Sequence, residues 1–313
     1  MSAEAIHGEE QHDVVIVGAG TAGVSCALEC FDIQLDAVVL EADERPGGQL
    51  VEIVNSVRNV AVGTFRDGPA VRDSLEEAAA ILSHRLRLSH PVTRVDLGDR
   101  WIEAGPHRIR GRALVIATGT AHQQLAGAED GAFGGDVTSL LEARSGRFVG
   151  RDVVVIGGGD SAALDALELA REGSKVWLVH RSDALTARHD IVEQVRREKR
   201  IEQLARWELE SVDGSDRLEG VTLVRRADGA RRHLEAGGLV VKIARVPRTD
   251  LVRGQLELNR KGAIIVDPTM HTSCDGVFAA GDVVAGAYAR VAAALGQGSV
   301  AARSVLRYLQ GEN

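Results

Sequence analysis

The sequence predicts an α/β protein made of two three-layer, doubly wound units, the second inserted in the first. The chain has 313 residues, which is long for one compact α/β unit and short for three. A buried strand, a glycine-rich loop and a helix follow one another twice, at residues 13–30 and again at residues 151–171. Two further strand-to-loop transitions, at residues 113–119 and 276–282, flank the second copy. The first unit is therefore predicted to be discontinuous.

The first glycine motif has the context that a dinucleotide site requires. Asp13–Val17 is an apolar run typical of a strand buried on both faces of a parallel sheet. It runs directly into Gly18-Ala19-Gly20-Thr21-Ala22-Gly23, which opens a helical stretch. The next strand ends in Glu41, about 20 residues on, where an acid can accept hydrogen bonds from a ribose. The pattern predicts a Rossmann-like unit that places a pyrophosphate at the helix N-terminus.

The second glycine motif repeats this arrangement. It reads Gly157-Gly158-Gly159-Asp160-Ser161-Ala162, and the strand after its helix ends in His180-Arg181. Two nucleotide-binding units indicate that the protein binds two dinucleotides and passes electrons from one to the other. We expect the first domain to comprise residues 1–117 and 247–313, and the second to comprise residues 118–246.

Composition excludes several other classes of protein. Hydrophobic residues make up 44% and charged residues 26%, which is ordinary globular composition. A net charge of −8 and 3% aromatic residues argue against a nucleic-acid partner. No apolar run approaches the roughly 20 residues of a bilayer span, and the first residues are acidic where a signal peptide is basic. We expect no membrane association and a cytoplasmic location.

The cysteines and histidines predict neither a disulfide framework nor a metal site. Only Cys26, Cys30 and Cys274 occur, with no C-x-x-C spacing. None of the ten histidines forms an H-x-x-x-H or H-E-x-x-H pattern on a predicted helix. Cys26 and Cys30 are expected to be buried as small hydrophobic residues of the first helix.

Five ordered motifs together resemble the thioredoxin reductase-like flavoproteins, the low-molecular-weight branch of the two-dinucleotide pyridine nucleotide oxidoreductases. They are GAGTAG with Glu41, PGGQL at Pro46–Leu50, IATGT at Ile116–Thr120, GGGDSA with His180-Arg181, and FAAGDV at Phe278–Val283. The resemblance covers nearly the whole chain. It implies FAD in the first domain, NAD(P)H in the second and a homodimer.

The resemblance also implies cofactor-binding roles for individual residues of the first domain. Gly48 and Gln49 would line the flavin, Asn59 would lie near the isoalloxazine, and Asp282 would bond the ribityl chain. The full FAD set is Gly18, Gly20, Thr21, Ala22, Gly23, Glu41, Gly48, Gln49, Leu50, Asn59, Val92, Thr118, Gly119, Gly281, Asp282, Arg290 and Val291.

The second domain departs from the family pattern near the nucleotide ribose. The implied nucleotide-binding set is Gly157, Gly159, Asp160, Ser161, Ala162, His180, Arg181 and Arg188. Members that use NADPH typically carry two adjacent arginines after the histidine and a third a few residues later. Here Ser182 and Thr186 stand at two of those positions, and Arg188 comes two positions further on. Arg181 is retained as one cation after the histidine, and no acidic residue stands where it would bind the ribose of NADH. NADPH is therefore the favoured nucleotide, and use of NADH is left as an alternative.

The dithiol of thioredoxin reductases is missing from the sequence. In that family a C-x-x-C just before the second glycine motif takes electrons from the flavin, whereas residues 134–144 here contain no cysteine. The flavin must therefore pass its electrons directly to something outside the protein, as the ferredoxin/flavodoxin-NADP reductases of this fold do. The stretch Asn59–Gly63 resembles their flavin-side loop more than the Asn-aromatic-Pro of thioredoxin reductases.

Three functional hypotheses remain open from the sequence. The leading one is an FAD-dependent NAD(P)H oxidoreductase with an external acceptor, either a ferredoxin-like or flavodoxin-like protein or a small molecule. The second is a flavin oxidase or dehydrogenase of a small biosynthetic metabolite, with a weak or vestigial NAD(P)H site. The third is a flavoprotein that keeps the fold without turnover. The sequence identifies no catalytic acid or base.

Overall fold

The computed structural model describes residues 9–53, 55–123, 125, 127–139 and 146–312. The strands are β1 Glu9–Val17, β2 Ala37–Leu40, β3 Val57–Val60, β4 Gly63–Phe65, β5 Leu86–Arg87, β6 Val92–Asp96, β7 Trp101–Ala104, β8 His107–Ile116, β9 Thr120–His122, β10 Val137–Thr138, β11 Asp152–Ile156, β12 Lys175–His180, β13 Ile201–Ala205, β14 Glu208–Gly214, β15 Leu218–Arg225, β16 Ala230–Glu235, β17 Gly238–Val241, β18 Arg245–Pro247 and β19 Val277–Ala279. The helices are α1 Thr21–Asp32, α2 Gly68–Ala79, α3 Ala132–Gly135, α4 Asp160–Arg171, α5 His189–Arg197 and α6 Val291–Gln310. Short 3-10 helices lie at Gly48–Glu52, Ala80–Arg85 and Asp250–Val252.

The chain divides into two compact units. Unit 1 comprises residues 1–121 and 246–313, and unit 2 comprises residues 122–245. The strands and helices predicted around both glycine motifs are confirmed. β1 and β11 run into the two motifs, α1 and α4 follow them, and β2 and β12 come next.

Unit 1 is built on a seven-stranded sheet in the order β5-β2-β1-β8-β7-β6, with β19 beside the second half of β8. Strands β5, β2, β1, β8 and β19 are parallel, whereas β7 is antiparallel to both β8 and β6. The carboxyl ends of β1, β2, β8 and β19 therefore meet at one edge. Ligands of open parallel sheets bind at this kind of edge.

The two faces of the unit 1 sheet are covered differently. Val14 and Ile16 of β1 enter one core with residues of α1, α2 and α6, while Val15 and Val17 enter the other. That second core is completed by Val95, Ile102 and residues between 252 and 284. The second face is therefore covered by strands and loops, whereas a doubly wound fold would place helices there. Strands β6 and β7 extend the sheet itself, and their buried residues Val95 and Ile102 also pack in this second core.

Unit 2 repeats this plan with a five-stranded parallel sheet in the order β10-β17-β11-β12-β13. Helices α4 and α5 cover one face. The other face packs against the antiparallel sheet β14-β15-β16, through Val221, Leu223 and Leu234. Both units thus have three layers, with helices on one face and β structure on the other.

The sequence predicts neither a membrane-spanning helix nor a metal site, and the structure bears on both only within the described residues. Among them, no helix has the length and apolar character needed to cross a bilayer. The same part of the chain holds no group of three or more histidine, cysteine, aspartate or glutamate side chains placed to bind a metal ion.

Candidate dinucleotide-binding sites

The first glycine loop joins β1 to α1 at the carboxyl edge of the unit 1 sheet. Gly18 has a φ of +104°, and a Cβ there would lie 2.5 Å from the carbonyl oxygen of Ala117. A Cβ at Gly23 would lie 1.9 Å from the Gly18 carbonyl oxygen, so this glycine lets α1 pack closely on the loop. Gly20 is different, because no described residue beyond its chain neighbours lies within 4 Å of its Cβ position, and none of the described side chains caps the helix. Unsatisfied N–H groups beside an open space fit a pyrophosphate.

Glu41 is fixed directly beside this loop. One carboxylate oxygen accepts the backbone N–H of Ala19 at 2.6 Å, and the other accepts the N–H of Asp43 at 3.0 Å. The residue is 9% exposed. A carboxylate held in one orientation at the end of β2 fits the ribose-binding role that the sequence predicts.

The PGGQL segment lies against the same loop. The N–H of Gly47 donates to the carbonyl oxygen of Ala19 at 2.8 Å. The Gln49 amide donates to the Thr120 hydroxyl at 3.0 Å, and a Cβ at Gly119 would lie 3.0 Å from that amide nitrogen. The structure thus brings the predicted Gly48, Gln49 and Gly119 to the first loop. Leu50 is buried in the core and Thr118 donates its hydroxyl to the carbonyl oxygen of Arg248.

The last predicted motif reaches α1 from the end of β19. The Gly281 N–H donates to the Gln297 side chain at 2.8 Å, and a Cβ at Gly281 would lie 2.9 Å from the Cβ of Ala22. A Cβ at Gly298 would lie 2.2 Å from the carbonyl oxygen of Ala22, so α6 crosses the first turn of α1 at this glycine. Gln297 and Gly298 were not predicted from the sequence. The closely spaced glycines at 296 and 298 were the available signal.

The remaining predicted FAD residues lie further from the loop along the chain. Asn59 is exposed on β3, and Val92 begins β6 and packs on the second core of unit 1. Asp282 follows Gly281 directly, and Arg290 is the exposed residue that precedes α6 and its first residue Val291. The N-terminus of α6 has no cap from a side chain in the described ranges.

The second glycine loop joins β11 to α4 in unit 2. Gly157 has a φ of +149°, and a Cβ there would lie 2.3 Å from the carbonyl oxygen of Lys242 and 2.8 Å from the Cβ of Ala162. Gly159 precedes α4; within the described part of the chain, nothing beyond its neighbours lies within 4 Å of its Cβ position and no side chain caps the helix. This is the same open arrangement as at Gly20. It fits a second pyrophosphate.

The segment after β12 folds back over this loop. Thr186 donates both its N–H and its hydroxyl to the carbonyl oxygen of Gly158. Asp160 accepts the N–H of Arg188 at 2.8 Å, and the Arg188 guanidinium lies 3.3 Å from the same carboxylate. Arg188 therefore pairs with the predicted Asp160 at the start of α4, while Ser161 is exposed beside it.

His180 ends β12 and is buried, with 4% of the residue exposed. Burial lowers its pKa, although a hydrogen bond to the backbone of Ser182 acts in the opposite direction. The imidazole is therefore neutral near pH 7. Its Nδ1 atom is buried and has no hydrogen-bond partner among the described residues.

A buried ion pair supports the second loop and was not predicted. Lys242 follows β17 and its ammonium lies 3.2 Å from a carboxylate oxygen of Asp165 on α4. The two side chains are 4% and 3% exposed. The Lys242 carbonyl oxygen also lies against Gly157 in the glycine loop. The ion pair therefore ties the end of β17 to α4 beside this loop. A lysine after an apolar strand is a visible signal, but its partner lies far away in the sequence.

The comparisons with known proteins agree with this geometry. A family model described as pyridine nucleotide-disulphide oxidoreductase matches residues 12–298, so the chain belongs to that family. The thioredoxin reductase of Mycolicibacterium smegmatis is 34% identical over 95% of this chain and 96% of its own length. A 34.2 kDa protein in the rubredoxin operon of Clostridium pasteurianum is 30% identical over 97% of this chain and 99% of its own length. The solved thioredoxin reductase of Lactococcus lactis, in its FR conformation, matches with a TM-score of 0.86 at 27% identity, over 96% of this chain and 99% of that chain.

These findings confirm the predicted family resemblance and the α/β fold with two Rossmann-like units. The chain is an oxidoreductase of this family, whose cofactors are FAD and NADPH. The open, uncapped helix N-termini at Gly20 and Gly159 fit the pyrophosphates of these two dinucleotides.

Proposed function

We propose that this chain is an FAD-dependent NAD(P)H oxidoreductase that works without a redox dithiol and passes electrons from its flavin directly to an external acceptor. In this proposal unit 1 binds FAD and unit 2 binds the nicotinamide nucleotide. The chain would then differ in reaction from the thioredoxin reductases that it resembles. The placement of its three cysteines is the observation that carries the proposal.

None of the three thiols is suited to a flavin-to-disulfide relay. Cys26 and Cys30 are fully buried in α1, and a hydrogen bond between them together with burial raises the pKa of Cys26 well above its usual value. Burial also raises the pKa of Cys274, which is partly exposed and has no second cysteine near it in the sequence. Because the thiolate is the reactive form, a raised pKa suppresses exchange. Residues 134–144, where relatives carry the dithiol, contain no cysteine; residues 140–144 of that stretch lie outside the described residues.

The chain's own residues would then bind and orient the two cofactors. When bound, FAD and NADPH supply the hydride and electron-transfer chemistry. The N–H groups at the start of α1 and α4 would hold the pyrophosphates, and Glu41 would accept the hydroxyls of the FAD ribose. Neutral His180 would pack beside the second nucleotide without adding charge. No described side chain is assigned as a catalytic acid or base.

The acceptor is proposed to be an electron-carrier protein or a small oxidant. The likeness to a protein in a rubredoxin operon favours a small redox protein. A flavin without a dithiol also needs no disulfide substrate.

An anaerobic reductive titration tests the proposal. A flavoprotein without a redox dithiol takes up one two-electron equivalent per FAD, whereas one with a dithiol takes up two. We expect NADPH to bleach the oxidised flavin band and dithionite titration to end at one equivalent. Cys274→Ser is the matched control and should leave this stoichiometry unchanged. Turnover should follow with ferricyanide or a small redox protein and should be absent with thioredoxin.

Each alternative result has a definite meaning. Two equivalents per FAD, or sustained reduction of thioredoxin, would refute the dithiol-free mechanism. A flavin that neither NADPH nor NADH bleaches would instead favour the second hypothesis, a flavin oxidase or dehydrogenase of a small metabolite.

We further propose that the protein is a homodimer, since its thioredoxin reductase relatives are typically dimeric. Light scattering coupled to gel filtration tests this, and a monomeric mass would contradict it. The expected cytoplasmic location remains a prediction, to be tested by fractionation of cells that produce the protein.

A further inference from the structure

Arg206 lies at the carboxyl ends of β12 and β13, at the edge of the unit 2 sheet where the nicotinamide nucleotide is proposed to bind. The two strands are parallel neighbours, with His180 opposite Ala205. Arg206 follows β13 at once, and its N–H donates to the carbonyl oxygen of Ser182 at 3.3 Å. The next N–H, that of Trp207, donates to the carbonyl oxygen of His180 at 3.3 Å. Arg206 is thereby fixed beside the segment that begins at Arg181.

The Arg206 side chain is held there by a weak partner. Its Nε lies 2.6 Å from a carboxylate oxygen of Asp183, and the two side chains are 64% and 79% exposed. An ion pair so exposed to water contributes little stability, so the guanidinium is free to pair with a stronger anion. Arg206 also has a φ of +65°, a left-handed conformation that is unfavourable for a residue with a side chain. Such conformations are concentrated at functional sites.

We propose that Arg206, together with Arg181, binds the 2′-phosphate of NADPH and so determines the choice of nucleotide. This inference rests on the proposed function of unit 2. Ser182 and Thr186 replace two arginines that NADPH-using relatives typically carry in this segment, and the segment by itself is therefore short of cations. Arg206 restores a cation from the adjacent strand. Its planar guanidinium can bind two phosphate oxygens at once.

The other charges at this edge are consistent with that assignment. Arg188 lies near two carboxylates, those of Asp160 and Asp190, at the start of α4, whereas the described ion pair of Arg206 involves Asp183 alone. Arg181 is exposed, and no acidic side chain within the described part of the chain pairs with it. Phosphate binding would exchange the Asp183 carboxylate for a dianion and return Asp183 to water.

Calorimetry on the FAD-loaded protein tests the inference without using catalysis. The probes are 2′,5′-ADP, which carries the 2′-phosphate, and 5′-AMP, which lacks it. We expect Arg206→Met to weaken 2′,5′-ADP binding by about 10- to 100-fold, the loss typical of a charged hydrogen-bonding pair, and to leave 5′-AMP binding unchanged. Arg196→Met is the matched control, because Arg196 is exposed on α5 of the same unit and pairs only with Glu193 among the described residues. It should alter neither affinity by more than about 2-fold.

Further variants keep the test decisive. Asp183→Asn should tighten 2′,5′-ADP binding, because it releases Arg206 and removes a negative charge from the phosphate site. If Arg206→Met does not fold, Arg206→Lys keeps the charge without the planar fork and should still weaken binding of 2′,5′-ADP alone. Equal losses for both probes, or no loss for either, would overturn the assignment of Arg206. Failure of the unaltered protein to bind either probe would instead refute the nucleotide-binding role proposed for unit 2, and the assignment of Arg206 with it.

Discussion

The buried ion pair between Lys242 and Asp165 provides a quantitative test of how unit 2 is held together. Its atoms are 3.2 Å apart and both side chains are less than 5% exposed, at 4% and 3%. Replacing one partner leaves the other charge buried without its counter-ion, whereas replacing both with apolar residues removes the desolvation cost as well as the attraction. We therefore predict that Lys242→Met and Asp165→Leu each destabilise unit 2. The double variant should recover most of that loss.

The expected size of these effects follows from the burial. Removing one member of a fully buried pair typically costs about 3–5 kcal/mol, and an apolar replacement of both is often neutral. We expect the double variant to lie within about 1 kcal/mol of the unaltered protein, which gives a large coupling energy in a double-mutant cycle. Arg171→Met is a matched control on the same helix. Arg171 is 61% exposed in its pair with Glu168, so its loss should cost less than about 0.5 kcal/mol.

Urea unfolding of the FAD-loaded protein, followed by two signals, measures these quantities. Release of FAD reports on unit 1, where the dinucleotide is proposed to bind. Tryptophan fluorescence reports mainly on unit 2, which contains Trp177 and Trp207. The singly substituted proteins should shift the tryptophan transition to lower urea. Single losses below about 1 kcal/mol, or a double variant that loses the sum of both, would show that Lys242 and Asp165 do not stabilise the unit as a pair.

Two other predictions concern the glycines and a second buried acid. Gly20→Ala should lower FAD affinity without changing the unfolding of the FAD-free protein, since no described residue beyond its chain neighbours lies within 4 Å of its Cβ position. Gly298→Ala should destabilise the FAD-free and the FAD-loaded protein alike, since its Cβ would lie 2.2 Å from the backbone oxygen of Ala22. FAD titration and thermal unfolding separate the two effects, and equal behaviour of both variants would contradict this reasoning. Burial alone would raise the pKa of Asp136, but hydrogen bonds from Arg217 and Arg151 outweigh it and hold that pKa well below its usual range. The ionised carboxylate therefore adds stability above about pH 4 that is lost as the pH falls. Asp136→Asn should cost about 2 kcal/mol at pH 7 and progressively less in acid, and a pH-independent loss measured by urea unfolding would refute this.

The parts of the fold that the sequence predicts well are those with local signatures. Each glycine motif combines a strand, a tight turn and a helix within about 30 residues, so the whole signature lies in one short segment. The observed backbone explains why the signature is specific, because Gly18 and Gly157 both have positive φ values and no room for a Cβ. Glu41 was identifiable for the same reason, since it directly follows β2, the first strand after the motif.

The parts that were not predicted depend on contacts between distant segments. The sheet β14-β15-β16 covers a face of unit 2, where a doubly wound fold would have helices, and its alternating residues indicate strands without indicating what they pack against. Lys242 pairs with Asp165 only because β17 lies next to β11 in the sheet, an order that the chain sequence does not specify. Gly298 likewise acquires its role from the crossing of α6 over α1.

The choice of nucleotide in unit 2 shows why a segment should be interpreted together with its neighbours in the sheet. From the sequence alone, Ser182 and Thr186 indicate a weakened site for a 2′-phosphate. In a parallel sheet, however, the residues that follow adjacent strands lie at the same edge, so Arg206 reaches the segment after β12 from the end of β13. A cation lost from one strand end can be replaced from the next without any change in the glycine motif. If Arg206 binds the 2′-phosphate as proposed, nucleotide preference in this chain depends on the charge of both strand ends, and the replacement of two arginines by Ser182 and Thr186 does not by itself remove a preference for NADPH.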